Sequence, residues 1–161
     1  MQKTAIITGA SSGIGAATAE QFLAHGYDVI SIARRPSPVQ GVINIAADLS
    51  TDDGAVAAAH ACKAHLRGEV GQIALVHNAS LMLKDSAASC ETEASMRVLA
   101  VNVLAVNTLN RHLLTSMAAG SSVIFVGSTL SEKAVAGAYS YVVSKHAQLG
   151  QMRATCQDLI G

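Results

Sequence analysis

Short apolar runs alternate with longer stretches of mixed polarity along the whole chain. "TAIIT" (4–8), "DVISIA" (28–33), "VINIAA" (42–47), "QIALVH" (72–77) and "SVIFVG" (122–127) are β-branched and almost continuously apolar. A strand covered on both faces reads this way, whereas a half-exposed strand alternates. Residues 14–25, 52–67, 91–118 and 139–159 carry helical patterning, and "STDD" (50–53) offers an N-cap followed by early acids. "RPSPVQG" (35–41) is a loop, because Pro36 and Pro38 exclude both a helix and a central strand. Strand–helix alternation with short joins predicts an α/β fold with a doubly wound parallel sheet, and the 161 residues form a single domain.

Composition narrows the function. Half of the residues are hydrophobic and 14% are charged, so the chain has the means to bury a core. Aromatic residues make up only 3%, which leaves Val, Ile, Leu and Ala to pack helices closely on a sheet. The formal net charge is zero, so bulk electrostatics points to no nucleic acid and no membrane surface as partner. No apolar run has the length of a membrane span, and "MQKTAIITGA" lacks the form of a signal peptide. Cys62, Cys90 and Cys156 are odd in number and far apart, which suits buried thiols in a reducing cytoplasm. The six histidines have no metal-ligand spacing, so no metal is expected.

Chemistry concentrates at two places. "TGASSGIG" (8–15) joins the first strand to the first helix. Gly9 permits the tight exit, Gly13 leaves no Cβ in the way of a pyrophosphate, and Gly15 lets the helix lie close to the sheet. Backbone N–H groups at the helix start, with Ser11, Ser12 and Ile14 beside them, face the phosphates of a dinucleotide in a Rossmann-like fold. The second place is "AYSYVVSKHAQ" (138–148), with two tyrosines ahead of one lysine. At about 100° per residue, Tyr141 and Lys145 end roughly 40° apart on a helix, whereas Tyr139 points about 120° away and is assigned to packing ahead of a substrate-side contact. If a phenol and an ammonium cooperate, the phenol is Tyr141.

TGxxxGxG followed by YxxxK resembles the short-chain dehydrogenase/reductase family, and the resemblance runs from residue 1 to the end of the chain. It implies an adenine contact at Asp48 and Leu49 after the third strand. The family's NNAG is matched by "HNAS" (77–80): Asn78 and Ala79 agree, while His77 and Ser80 depart. "VNV" (101–103) places Asn102 at the family's helix asparagine, and "VGSTLS" (126–131) presents Ser128 at the end of the fifth strand. The implied reaction interconverts a carbonyl and an alcohol by hydride transfer with a nicotinamide. An ordinary phenol titrates near 10, and bringing it toward 7 requires about 4 kcal/mol of preference for phenolate. Lys145 beside Tyr141 is placed to supply it. Tyr141 is then the general acid/base, Ser128 a hydrogen-bond donor to the substrate oxygen, Lys145 also a holder of the ribose, and Asn102 the holder of a water that relays protons to Lys145.

The end of the second strand reads "SIARRPSP", with Arg34 and Arg35 and no acid that would accept from a ribose 2′-hydroxyl. An arginine fork fits a 2′-phosphate, so NADP(H) is expected over NAD(H), Ser80, Asn78 and Ala79 flanking it. In the family, helices 91–118 and 139–159 pair across a two-fold, which implies a homodimer. Their apolar faces carry Met96, Leu99, Val103, Val106, Leu113 and Leu114 on the first, and Val142, Val143, Leu149 and Met152 on the second. The resemblance also implies a strand order of 3-2-1-4-5 and further strands after the last helix, yet the chain stops at "CQDLIG". It therefore reads as a sheet lacking its last strands, an enzyme shortened at its C-terminal end. The alternatives are a non-catalytic NADP-binding or scaffolding protein and an inactive fragment. The identity of the small-molecule carbonyl or alcohol substrate is not encoded in these motifs.

Overall fold

A computed structural model describes residues 3–66 and 71–160. β1 (Lys3–Thr8), β2 (Asp28–Ala33), β3 (Ile43–Ala46), β4 (Gln72–His77) and β5 (Ser122–Phe125) form one sheet in the order β3-β2-β1-β4-β5. All four neighbouring pairs are parallel, with Ile6 opposite Ile30 on one side and Leu75 on the other. This is the doubly wound α/β fold that the patterning predicts, in the expected strand order. The connections after β1 and β4 leave in opposite directions along the sheet, and a crevice opens above the ends of those two strands.

Helices α1 (Gly13–Ala24), α2 (Asp52–His65), α3 (Thr92–Leu99), α4 (Ala105–Leu113) and α5 (Tyr139–Ile160) cover the sheet. Alternate strand residues feed two separate cores. Ile6, Ile30, Ile32, Ile73 and Leu75 pack with Ala55, Ala58, Ala59 and Cys62 of α2 and Leu109 and Leu113 of α4. Ala5, Ile7, Val29, Ala74 and Val76 pack on the other face with Ala19, Phe22 and Leu23 of α1. Each fully buried Ile or Leu contributes about 1.5–3 kcal/mol. The Thr51 hydroxyl accepts from Gly54 N at 3.1 Å and caps α2, with Asp52 and Asp53 in its first turn. The predicted last residue of that helix, position 67, lies outside the described residues.

The stretch 91–118 is not one continuous helix, contrary to its patterning. α3 gives way to a π turn at Ala100–Leu104 before α4 resumes, and a short 3₁₀ turn at Leu114–Ser116 ends the segment. An inserted π turn shifts main-chain pairing and leaves carbonyls short of partners. Side-chain amides of α5 satisfy two of them: Gln148 Nε2 donates to Asn102 O and Gln151 Nε2 to Val103 O, both at 3.2 Å. α5 is thereby fastened along the π turn.

Candidate active site

The glycine turn is tied to the loop after β4 by side chains that bond main-chain atoms across the two loops. Asn78 Nδ2 donates to Thr8 O at 2.9 Å and Gly9 O at 3.2 Å, and the Thr8 hydroxyl accepts from the N–H groups of Asn78 and Ala79, each at 2.9 Å. Asn78 is therefore a clasp between the two loops. A Cβ at Gly15 would collide with Gly9 O and Asn78 Nδ2, so only glycine lets α1 approach this closely. At Gly13 (φ +56°) a Cβ would meet no protein atom within 4 Å and would project into open space at the start of α1. The Ser12 side chain does not cap the helix, so its first-turn N–H groups are left to another acceptor.

Above this turn lies a cavity of about 640 Å³, within the range of small-molecule sites. Among the predicted cofactor residues, Gly9, Ser11, Ser12, Ile14, Arg34, Arg35, Asp48, Leu49, Asn78, Ala79 and Ser80 line it. Gly13 and Gly15 shape its floor from outside the lining. Ile14 is 65% exposed, an apolar side chain standing at the cavity rather than in the core. Asp48 accepts from Ser50 N at 2.9 Å. Hydrogen bonds from Ser50 hold its carboxyl below the usual range, with the nearby Arg34 charge acting in the same direction. The residues thus fit a dinucleotide: an open helix start for phosphates, two guanidinium groups at the end of β2, and an apolar and carboxylate rim at β3. Arg97 and Val101 also line the cavity and were not singled out from sequence. Their i, i+4 spacing on the helix that carries Asn102 was the available signal.

The second constellation lies at the start of α5. Asp85, from the loop after β4, accepts from Ser140 N at 3.0 Å with its carboxylate and from Tyr139 N at 3.4 Å with its carbonyl. This places a carboxylate at the helix N-terminus, where the helix dipole favours it, and hydrogen bonding from Ser140 holds its pKa below the usual range. Tyr141 is half-buried, and the Lys145 ammonium lies 5.6 Å from the centre of its ring, as the helical spacing requires. Tyr139 is 46% exposed rather than packed. Lys145 is 2% exposed; its Nζ donates to Val126 O at 3.1 Å and Gln148 Oε1 at 2.8 Å, and burial lowers its pKa. The Ser128 hydroxyl accepts from Leu130 N at 3.1 Å, which leaves its own hydrogen free to donate.

Asn102 sits in the π turn, fully buried. Its amide exchanges hydrogen bonds with the Leu81 main chain at 2.7 and 2.9 Å and donates to the Ser144 hydroxyl at 2.9 Å. Its carbonyl accepts from Gln148. The span from Asn102 to Lys145, where the resemblance implies a water, is occupied by the Gln148 amide. His77, the departure from the family's motif, is buried and points to α4: its Nε2 bonds Asn110 Oδ1 at 2.8 Å. Burial lowers its pKa to about 4, the Asn110 bond opposing the shift.

The family model for short chain dehydrogenase matches residues 3–161. The chain belongs to the short-chain dehydrogenase/reductase family. "Short-chain dehydrogenase reductase 5" of Arabidopsis thaliana is 32% identical over 98% of this chain, which spans 64% of that protein's length. A metagenomic short-chain oxidoreductase solved in complex with NADP superimposes with a TM-score of 0.87 at 27% identity, covering 98% of this chain and 75% of that one. A Brucella ovis oxidoreductase of the same family, in complex with a partially ordered NAD, gives 0.88 at 28% identity over 98% of this chain and 78% of its own. These two solved members of the family were thus crystallised with NADP and NAD, in line with a nucleotide cofactor for the family. Asn102, Ser128, Tyr141 and Lys145 do not line the cavity above the glycine turn, although Val101, next to Asn102 in sequence, and Leu81, its hydrogen-bond partner, do. Among the described residues no helix is long and apolar enough to cross a membrane.

Proposed function

We propose that this short-chain dehydrogenase interconverts a carbonyl and an alcohol with NADP(H), Tyr141 serving as general acid/base. The observation that carries this reading is the buried Lys145 ammonium, 5.6 Å from the Tyr141 ring, with no carboxylate within ion-pair distance among the described residues. An unneutralised cation favours the phenolate and so eases proton exchange with a substrate oxygen. The nicotinamide, when bound, supplies or accepts the hydride. Tyr141 gives the proton in the reducing direction and takes it in the oxidising one, and the free Ser128 hydrogen donates to the same substrate oxygen. Gly13 and the start of α1 hold the phosphates, Asp48 and Leu49 the adenine, and Arg34 and Arg35 the 2′-phosphate.

Replacing Tyr141 with Phe tests the mechanism, since it removes one oxygen and little volume. Turnover is lost while NADPH affinity stays within a few-fold; unchanged turnover would remove Tyr141 from the chemistry. Comparing dissociation constants for NADPH and NADH tests the cofactor, and equal values reject the arginine assignment.

A non-catalytic NADP-binding role is the second reading, favoured by the position of Ser128, Tyr141 and Lys145 outside the cavity lining. It predicts NADPH binding with no cofactor oxidation across a carbonyl panel. A homodimer through α3, the π turn and α5 is supported by Met96, Leu104 and Val143, which are 63%, 59% and 42% exposed. Light scattering that returns a monomer at micromolar concentration counts against it. All three cysteines are free thiols, which suits a cytoplasmic setting, but only Cys62 is buried as expected; Cys90 is half-buried and Cys156 exposed.

A further inference from the structure

We propose that Gln148 is a positioning residue for the Tyr141–Lys145 pair: its amide fixes the lysine ammonium against the main chain of the π turn without cancelling its charge. The inference rests on the oxidoreductase reading above. Gln148 is 2% exposed and stands one residue short of a helical turn beyond Lys145. Its Oε1 accepts from Lys145 Nζ at 2.8 Å, while its Nε2 donates to Asn102 O at 3.2 Å. The orientation of the amide is dictated by chemistry, since an ammonium only donates and a carbonyl only accepts. Both ends of the side chain are thus committed.

The groups facing the ammonium come from three elements. Tyr141 and Gln148 lie on its own helix, the Val126 carbonyl comes from the end of β5, and Asn102 approaches from the π turn through Gln148. None of these is an anion. Two of the three ammonium hydrogens are taken by Val126 and Gln148, and the third is left for the side on which Tyr141 stands. A neutral acceptor favours the charged lysine by its hydrogen bond, yet leaves the full positive charge to act on the phenol. A glutamate at 148 would hold the lysine equally well and neutralise it. The amide also has no proton to exchange near neutral pH, so it closes the Asn102 side of Lys145 to a proton relay. Proton exchange is directed to the open side, where substrate and cofactor would lie.

Titration of Lys145 by NMR of its 13Cε resonance, in the chain without cofactor, tests this independently of turnover. In Q148M, which keeps the volume and removes the acceptor, the Lys145 midpoint falls by about one pH unit, the worth of a hydrogen bond to a charged group. In Q148E the midpoint rises, because a carboxylate stabilises the ammonium further. Where turnover is measured, the acid limb of alcohol oxidation moves to higher pH in Q148E, since the added carboxylate weakens the field of the ammonium on the phenol. A midpoint unmoved in both variants, with only thermal stability reduced, overturns the proposal and makes Gln148 a packing residue. If Q148M does not fold, the rise expected in Q148E decides alone. Failure of the oxidoreductase reading is a separate result: wild-type chain that oxidises no cofactor, with the lysine titrations still shifted.

Discussion

Around β1 the crevice is held by two side chains, Asn78 and Thr8, that grip main-chain atoms of the facing loops, whereas around β5 it depends on a larger set of polar side chains reaching across elements. Five of the six β1 residues are buried, and the glycine turn is clasped by Asn78 through the carbonyls of Thr8 and Gly9. β5 is shorter and has no fully buried residue; Ile124 is 39% exposed. The tyrosine–lysine pair beyond it is placed by Asp85, Asn102, Ser144, Gln148 and Gln151. The close approach of Gly15 to Gly9 O and the Asn78 amide leaves few tolerated changes in the glycine turn. Side-chain amides and hydroxyls can be exchanged one at a time, so the reactive pair is the more tunable region.

The sharpest way to separate the two regions is Tyr141→Phe. Turnover falls by about 10³-fold, in the range of a lost general acid/base, with NADPH affinity nearly unchanged. Steady-state kinetics beside direct cofactor titration reads both at once; parallel losses would mean that the regions are not independent. Between them, at the end of β4, His77 sets an acid limit on stability. Its folded-state value of about 4 lies below the ordinary 6.5, so the unfolded chain binds a proton that the folded chain excludes. Its contribution is whole above pH 6.5 and is lost as pH falls toward 4, by about 3 kcal/mol. Denaturant midpoints at pH 7 and 4.5 measure it, and His77→Asn flattens that difference.

Gly15→Ala attacks the glycine-turn region. The added methyl forces Gly9 and Asn78 apart at a cost of roughly 1–3 kcal/mol, and NADPH binding weakens with it. A variant of unchanged melting temperature and affinity would mean that the turn yields freely. The smallest effect is expected from Arg34→Ala. NADPH affinity drops about tenfold, the worth of one charge-assisted hydrogen bond, while NADH affinity holds. Equal losses for both cofactors would place Arg34 at the cavity rim without a 2′-phosphate contact.

Legibility from sequence followed the same division. The glycine turn and the pairing of Tyr141 with Lys145 were readable because each follows from local periodicity or from motif spacing, and the strand order because the family resemblance implies it. Arg97 escaped notice because a lone arginine on a helix ordinarily reads as a solvated charge. The break in 91–118 escaped because a π turn keeps an apolar helical pattern while shifting its hydrogen bonds by one residue. Tyr139, assigned from its angle to packing ahead of a substrate-side contact, proved exposed rather than packed, since an angle relative to one neighbour says nothing about what covers the other side.

What the sequence determined by itself was therefore the layered α/β frame, the nucleotide turn and the helix face shared by phenol and ammonium, all set within a few turns of chain. Tertiary structure alone decided that Asn78 clasps two loops, that His77 faces α4, and that Gln148 stands between Lys145 and Asn102. Those contacts join residues 33 to 70 positions apart, and which distant polar atoms meet depends on how the sheet and helices pack, a consequence of the whole core rather than of any local pattern.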